Sequence, residues 1–127
     1  MPSILITGAN GQLGKCFKSV SHEFPKYNLI FSDQGNVDIT IPKTLQIFFE
    51  THHFDGIINC AAYTEVDQAE NEKERVYKIN VDGIRNLIDI AEKNDIFLLN
   101  FSTDYIFNGR LSSPYKEDQE ANPINIY

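Results

Sequence analysis

A glycine-rich segment near the N-terminus constrains the fold of this chain more than any other feature. Residues 3–7 (S-I-L-I-T) form a short apolar run, typical of a parallel strand that is buried on both faces. The sequence T-G-A-N-G-Q-L-G continues from Thr7 to Gly14 and leads into a helical pattern. In such a unit the backbone N–H groups and the positive end of the helix dipole face whatever lies above the loop. A pyrophosphate fits there, because glycines let the backbone come close.

The glycine spacing alone does not decide between a nucleotide site and an ordinary turn. Gly8, Gly11 and Gly14 give G-x-x-G-x-x-G rather than the better-known G-x-G-x-x-G. Asp33, 19 residues past Gly14, favours the nucleotide interpretation, because it follows a second apolar run and could accept hydrogen bonds from both adenosine-ribose hydroxyls. Its charge would oppose a 2′-phosphate, so the sequence slightly favours NADH over NADPH. The alternative for Asp33 is a solvated turn residue.

Apolar runs alternate with helical patterns along the whole chain. Strands are predicted at residues 3–7, 28–32, 37–39, 56–62 and 96–102. Alternation of this kind implies right-handed crossovers and an α/β fold. We predict a Rossmann-type, doubly wound parallel sheet with strand order 3-2-1-4-5, truncated after the fifth strand and its loop, so that residues 1–127 form one incomplete NAD(P)-binding domain.

Three helical segments, one of them opening at Thr40-Ile41-Pro42, and a long loop complete the predicted layout. Leu13, Phe17, Val20 and Phe24 recur at helical spacing and are expected to pack against the sheet. A second apolar stripe predicts a long helix over residues 77–91. From residue 104 to 127 the periodicity is lost, and a loop of this length in a small domain is usually functional.

Composition limits the partners and the location of the protein. The net charge is −7 and no run of Lys or Arg occurs, which argues against nucleic acid. The longest apolar stretches, about seven residues, are too short for a bilayer, and the N-terminus has no signal-peptide pattern, so we expect a cytoplasmic protein without membrane contact. Cys16 and Cys60 have no second cysteine or histidine at ligand spacing, and no metal site is predicted.

Further motifs follow the glycine loop in a characteristic order. They are V-D-I-T at 37–40, N-C-A-A-Y-T at 59–64, V-D-Q-A-E at 66–70, I-N-V-D-G at 79–83, F-S-T-D-Y-I-F at 101–107 and N-P-I-N-I-Y at 122–127. Together they cover the whole chain, and the last two are far more selective than the glycines. The chain resembles extended short-chain dehydrogenase/reductases and, within them, the dTDP-4-dehydrorhamnose reductases.

The resemblance implies roles for individual residues. Tyr127 matches the tyrosine that protonates the carbonyl oxygen of the substrate, and Thr103 matches a hydroxyl that hydrogen-bonds the same oxygen. Asp104 and Tyr105 match positions beside the sugar, and Asn80 is expected to be structural. The Asp38-Ile39 pair could flank an adenine, although it could equally be a strand end. With this pair, the glycine loop and the resemblance predict the following cofactor contacts: Gly8, Asn10, Gly11, Gln12, Leu13, Gly14, Asp33, Asp38, Ile39, Asn59, Ala61, Ala62 and Tyr63.

Two functions remain open from the sequence. The first is an enzyme whose full-length form, a candidate homodimer, reduces the 4-keto group of a dTDP-6-deoxysugar with NADH or NADPH. The second is a non-catalytic, nucleotide-binding regulatory subunit with a reductase-like fold. The family's lysine, four positions beyond the tyrosine, is not among these residues. The 127 residues alone are therefore expected to be inactive.

Overall fold

A four-stranded parallel sheet forms the centre of the computed structural model, which describes all of residues 1–127. The strands are β1 (Ser3–Thr7), β2 (Asn28–Phe31), β3 (Gly56–Asn59) and β4 (Phe97–Asn100), in the order β2-β1-β3-β4. All three pairings are parallel. The register places the last residues of three strands side by side, which confirms an α/β, Rossmann-type sheet with its carboxyl ends at one edge.

Helices connect the strands. They are α1 (Gln12–Val20), α2 (Pro42–Thr51), α3 (Val66–Ala69), α4 (Lys73–Tyr77) and α5 (Gly83–Asn94). A single π-helical turn at Lys78–Asp82 joins α4 to α5, so the predicted long helix exists but contains a bulge. The segment after β4 contains only a short 3₁₀ turn at Asp104–Ile106.

The main core lies between the sheet and the pair α2 and α5. Leu5 of β1 and Ile57 of β3 are fully buried there against Leu45 of α2 and Leu87 of α5. Phe54, just before β3, closes the end of this layer and is 2% exposed. Apolar burial of this kind stabilises the sheet and fixes the position of its strands.

The predicted strand at residues 37–39 is absent, so the sheet has four strands rather than five. Val37 and Ile39 are buried, as the apolar pattern required, but Asp38 between them accepts hydrogen bonds from the backbone N–H and the hydroxyl of Thr40, at 2.9 and 2.7 Å. The N–H of Ile41 then bonds to the carbonyl of Asp38. These local bonds close a turn where a strand would need a partner. The remaining strands keep the predicted order.

The apolar stripe of α1 is less covered than its periodicity predicts. Leu13, Val20 and Phe24 remain 38, 39 and 49% exposed, while the Phe17 ring lies 6.3 Å from that of Phe101. The neighbouring strand β4 is also open, with Phe97 53% exposed. The prediction that this stripe packs against the sheet therefore holds only in part. Separately, none of the helices has the length and apolar character needed to cross a bilayer.

Candidate functional site

A buried chain of hydrogen bonds holds three strand ends together. The Thr7 hydroxyl donates to Asn59 Oδ1 at 2.5 Å, and Asn59 Nδ2 donates to Asn100 Oδ1 at 2.8 Å. Thr7 is 1% and Asn59 3% exposed. The Asn59 amide also bonds to both backbone groups of Ala61. The loops after β1, β3 and β4 therefore leave the sheet at one fixed edge, where ligands of open parallel sheets bind.

A groove runs along this edge in two parts. The first is a cavity of about 530 Å³ over β1 and β2. The second, of about 680 Å³, lies over β3 and β4. Both are lined by Gly11, Cys60, Ala61 and Ala62, so they are continuous. Such volumes are typical of small-molecule and cofactor sites.

The structure distributes the predicted residues between these two parts. The first part is lined by Gly8, Asn10, Gly11, Asp33, Asp38, Ile39, Ala61 and Ala62. The second part is lined by Gly11, Gln12, Leu13, Asn59, Ala61, Ala62, Thr103 and Tyr127. The glycine loop and the two predicted catalytic residues thus face one continuous space.

Each of the three loop positions requires glycine for a different structural reason. Gly8 has φ +66°, a conformation that favours glycine, and a Cβ there would collide with the backbone of Ala61. A Cβ on Gly14 would collide with the backbone of Gly8 and Ala9, so Gly14 permits the close approach of α1 to the loop, although it does not line the groove. Gly11 is different, because its Cβ would meet only the Gly8 carbonyl oxygen at 3.3 Å and would otherwise enter the groove.

The start of α1 is open to a ligand. Gly11 is its N-cap, and no side chain caps the helix. The first N–H groups of a helix have no intrahelical acceptor, and the dipole makes this end positive. An anion above Gln12 and Leu13 would satisfy these donors, so the residues present fit a pyrophosphate.

Asp33 makes turn contacts and also lies in the groove. Its Oδ1 accepts the Gly35 N–H at 2.9 Å, as in a turn. Its Oδ2 accepts a short hydrogen bond from the Asn10 amide, which ties the β2 end to the glycine loop. The carboxylate nevertheless lines the first part of the groove.

Asp38 is a structural carboxylate at the rim of the same cavity. Burial opposes its ionisation, but hydrogen bonds from the side chains of Thr40 and Gln34 and from the Thr40 backbone outweigh this and lower the pKa of Asp38. The Gln34 amide donates to it at 3.0 Å. Ile39 beside it is 5% exposed and lines the cavity, so its apolar atoms form part of the wall.

The side chain of Tyr63 does not line the groove, contrary to the direct cofactor contact that we expected. Its ring is 5% exposed, and its hydroxyl donates to Glu72 at 2.5 Å, which raises the pKa of Tyr63 to about 12. The same bond lowers the pKa of Glu72. The Tyr63 backbone bonds on both sides to the Asn80 amide, at 2.8 and 3.1 Å. Asn80, in the π turn, therefore anchors the loop after β3.

Thr103 and Tyr127 face the second part of the groove from different segments. The Thr103 hydroxyl oxygen accepts the Tyr105 N–H at 3.2 Å, which caps the 3₁₀ turn, and the hydroxyl donates to Asp104 at 3.4 Å. Tyr105 meets the Tyr127 ring edge-on at 5.7 Å between centroids. Asp104 and Tyr105 line neither part of the groove, but they adjoin Thr103 and Tyr127.

Several lining residues were not predicted. Cys60 lies between two predicted positions and touches both parts of the groove, and Ile79 reaches the first part from the π turn. The position of Cys60 directly after β3 could have identified it as a lining residue, whereas no feature of the sequence pointed to Ile79. The other lining residues missed are Cys16, Gln34, Gly35, Val37, Thr40, Thr64, Asn80, Ile84, Asn100, Phe101 and Ser102. No cluster of three or more His, Cys, Asp or Glu side chains with a metal-holding arrangement is present.

This parallel sheet, with a glycine loop and a groove at its carboxyl edge, defines a dinucleotide-binding class of fold. The family model described as "RmlD substrate binding domain" matches residues 1–127, and the chain belongs to this family. A dTDP-4-dehydrorhamnose reductase of Aggregatibacter actinomycetemcomitans is 37% identical over all 127 residues, which are 43% of that protein. The chain thus spans less than half the length of this relative.

Solved structures agree with this assignment. The dTDP-4-dehydrorhamnose reductase of Clostridium acetobutylicum superposes with a TM-score of 0.92 at 38% identity, over 98% of this chain and 44% of that one. The Bacillus anthracis reductase, in complex with NADP, gives a TM-score of 0.92 at 38% identity, over 100% of this chain and 45% of that one. L-threonine dehydrogenase of Clostridium difficile, at 24% identity and TM-score 0.85 over 99% of this chain and 44% of that one, shares the fold.

The reactivity of Cys60, which lines both parts of the groove, tests how far its thiol is buried. Burial raises the pKa of its thiol to about 11, so at pH 8 only about one molecule in a thousand carries the reactive thiolate. Cys16 is exposed and is the internal control. We expect iodoacetamide at pH 8 to modify Cys60 at least roughly tenfold more slowly than Cys16, as measured by mass spectrometry of the peptides. Equal rates would show that Cys60 is not shielded.

Proposed function

We propose that residues 1–127 form the NAD(P)-binding Rossmann domain of an NAD(P)H-dependent dTDP-4-dehydrorhamnose reductase. The full-length protein would reduce the 4-keto group of a dTDP-6-deoxysugar, converting dTDP-4-dehydrorhamnose to dTDP-rhamnose. The observation that carries this proposal is the continuous groove, which joins the glycine loop to Thr103 and Tyr127. The family membership and the reductases among the relatives support the same reaction.

The residues divide the work between the two parts of the groove. The first turn of α1 binds the pyrophosphate, and Asp33 and the Asp38-Ile39 wall bound the adenosine side. The nicotinamide supplies the hydride when it is bound. Tyr127 donates a proton to the sugar carbonyl oxygen, and the Thr103 hydroxyl hydrogen-bonds this oxygen as charge develops on it. Asp104 and Tyr105 flank the sugar beside these two residues.

Asp33 gives the site a slight preference for NADH over NADPH. Its carboxylate lines the first part of the groove, where the ribose of the adenosine would lie. One carboxylate oxygen already accepts from Gly35 and the other from Asn10, so its geometry is fixed while its charge remains. A fixed negative charge opposes a 2′-phosphate.

Partners and location follow from the same proposal. The substrate is a dTDP-sugar, the full-length protein is a candidate homodimer, and neither nucleic acid nor a membrane is a partner. A cytoplasmic location stays a prediction of the sequence. The regulatory-subunit alternative would keep nucleotide binding without turnover, so it is an outcome of the kinetic test below.

Gly11→Val should abolish dinucleotide binding to this chain while leaving its fold intact. The new side chain would enter the space shared by both parts of the groove, but the nearest protein atom to its Cβ is 3.3 Å away. The wild-type chain should bind NADH weakly by calorimetry, and the variant at least about tenfold more weakly, since the backbone could no longer approach the pyrophosphate. The thermal midpoint is the control for folding. Equal affinity of the two proteins would contradict this site.

Asp33→Asn should shift the cofactor preference toward NADPH. The substitution keeps an acceptor for the Gly35 N–H and removes the charge. We expect the ratio of the NADPH and NADH dissociation constants to change by about tenfold, equivalent to ~1.4 kcal/mol. Glu50→Ala, which removes an exposed carboxylate on α2, is the control for net charge. An unchanged ratio in Asp33→Asn would rule out Asp33 as the discriminating group.

Tyr127→Phe should remove nearly all turnover in a full-length protein that contains this chain. Cofactor binding should persist, because the hydroxyl acts on the substrate. Thr103→Val should cost less, on the order of a hundredfold for one oxygen-directed hydrogen bond. The assay is oxidation of NADH or NADPH with dTDP-4-dehydrorhamnose, and the isolated 127 residues should show no turnover. Undiminished activity of Tyr127→Phe would overturn the mechanism, and an inactive wild type would favour the regulatory subunit.

A further inference from the structure

The wall that borders the adenosine side of the groove is held from behind by α5. Ile39 lines the first part of the groove and is 5% exposed. The Asn86 amide of α5 donates to the Ile39 carbonyl oxygen at 2.8 Å, a contact that bridges 47 positions. Asn86 itself lines neither part of the groove. A residue outside the site therefore contacts one of its walls directly.

The Ile39 carbonyl has no donor other than this amide. No backbone N–H bonds to it, whereas the carbonyl of neighbouring Asp38 accepts from the Ile41 N–H at 2.9 Å and from the Thr44 hydroxyl at 2.8 Å. A buried carbonyl without a donor is costly, and water reaches little of Ile39. Without the Asn86 amide, the turn is expected to rotate this carbonyl toward water, and the Ile39 side chain would move with it.

The side chain of Ile39 is supported by the same face of α5. Gly83 lies about one turn before Asn86, so both positions are on one side of the helix. A Cβ on Gly83 would lie 2.8 and 2.9 Å from Cδ1 and Cγ1 of Ile39, so the helix backbone lies directly behind this side chain. Leu87 and Ile90 of the same helix are buried in the main core and hold α5 in place. One helix therefore supports both the carbonyl and the side chain of Ile39.

Resting on the proposed function, we propose that Asn86 is a positioning residue for the adenosine half of the dinucleotide. It acts through Ile39, whose apolar side chain forms part of the cavity wall. Asp38 beside it is held by hydrogen bonds of its own, from Thr40 and Gln34. The wall is therefore formed before a ligand binds, and preorganisation of this kind lowers the cost of ordering on binding. Loss of the Asn86 amide should weaken ligands that contain adenosine and leave phosphate binding at the glycine loop unchanged.

The test measures the binding of ADP and of inorganic pyrophosphate by calorimetry, in a full-length protein that contains this chain. In Asn86→Ala the dissociation constant of ADP should rise roughly five- to tenfold, and that of pyrophosphate should stay within about twofold of wild type. Asn86→Asp, which keeps the shape of the side chain and removes the donor, should behave like Asn86→Ala.

Two further variants serve as rescue and control. Asn86→His should recover most of the affinity for ADP, because a ring nitrogen can donate and the adjoining cavity of about 180 Å³, which Asn86 lines, has room for the ring. Asp89→Asn, which alters an exposed carboxylate at the same cavity, should match wild type.

A kinetic measurement separates positioning from a general loss of structure. With NADH as the varied substrate, Asn86→Ala should raise KM by a factor similar to that for ADP and leave kcat within about twofold, because Thr103 and Tyr127 are unchanged. Wild-type affinity for ADP in Asn86→Ala and Asn86→Asp would overturn the inference. Equal losses of affinity for ADP and pyrophosphate, or no recovery in Asn86→His, would overturn it as well.

The calorimetry also distinguishes failure of this inference from failure of the proposed function. A wild type without turnover would refute the reductase, while the binding of ADP to the same variants would still decide the role of Asn86. A wild type that binds ADP no more tightly than pyrophosphate would overturn the inference itself, since adenosine would then add nothing to binding.

Discussion

The hydrogen bonds of Asn59 are the constraint on which the rest of the site depends. Asn59 ends the central strand β3, and its amide is buried between the ends of β1 and β4, so every polar atom needs a protein partner. Thr7 and Asn100 supply these partners from either side, and Ala61 supplies them from the loop that follows. The Asn59 side chain, which the sequence predicted as a cofactor contact, thus aligns three strands. The groove exists because their loops begin at one level.

The sequence predicted the parts of this arrangement that local chemistry determines. The strand before the glycine loop, the helix after it and the burial of β1 and β3 follow from residue type and spacing, whereas β2 and β4 are less buried than their apolar runs predict. Such reasoning fails at Val37-Asp38-Ile39, because alternating apolar residues are expected in a strand but also in a turn that is buried on one side. The side-chain bonds of Asp38 to Thr40 decide for a turn. A strand forms only where a neighbouring strand offers hydrogen-bond partners, and a pattern of three residues carries no information about such a neighbour.

Long-range contacts account for the rest of what the sequence could not predict. Tyr63 follows a strand end in a family motif, and its neighbours Ala61 and Ala62 do line the groove. Its ring turns away because Glu72 offers an acceptor and the Arg75 guanidinium lies 5.6 Å above the ring. Asn80 then binds the Tyr63 backbone from the π turn, whose bulge no helical periodicity reveals. The loop is shaped by these partners rather than by its own residues.

The two parts of the groove are held in place by different kinds of structure. The part that we propose for the dinucleotide is built on strand ends and the start of α1, which the core and the Asn59 hydrogen bonds hold in place. The part that we propose for catalysis is built on irregular backbone, where Thr103 and the segment of Tyr127 are held mainly by single hydrogen bonds and by aromatic contacts. On the proposed mechanism, dinucleotide binding can therefore survive changes that misplace Tyr127. A nucleotide-binding domain of this design could lose catalysis and remain a binding module, because the two properties share a groove but not a support.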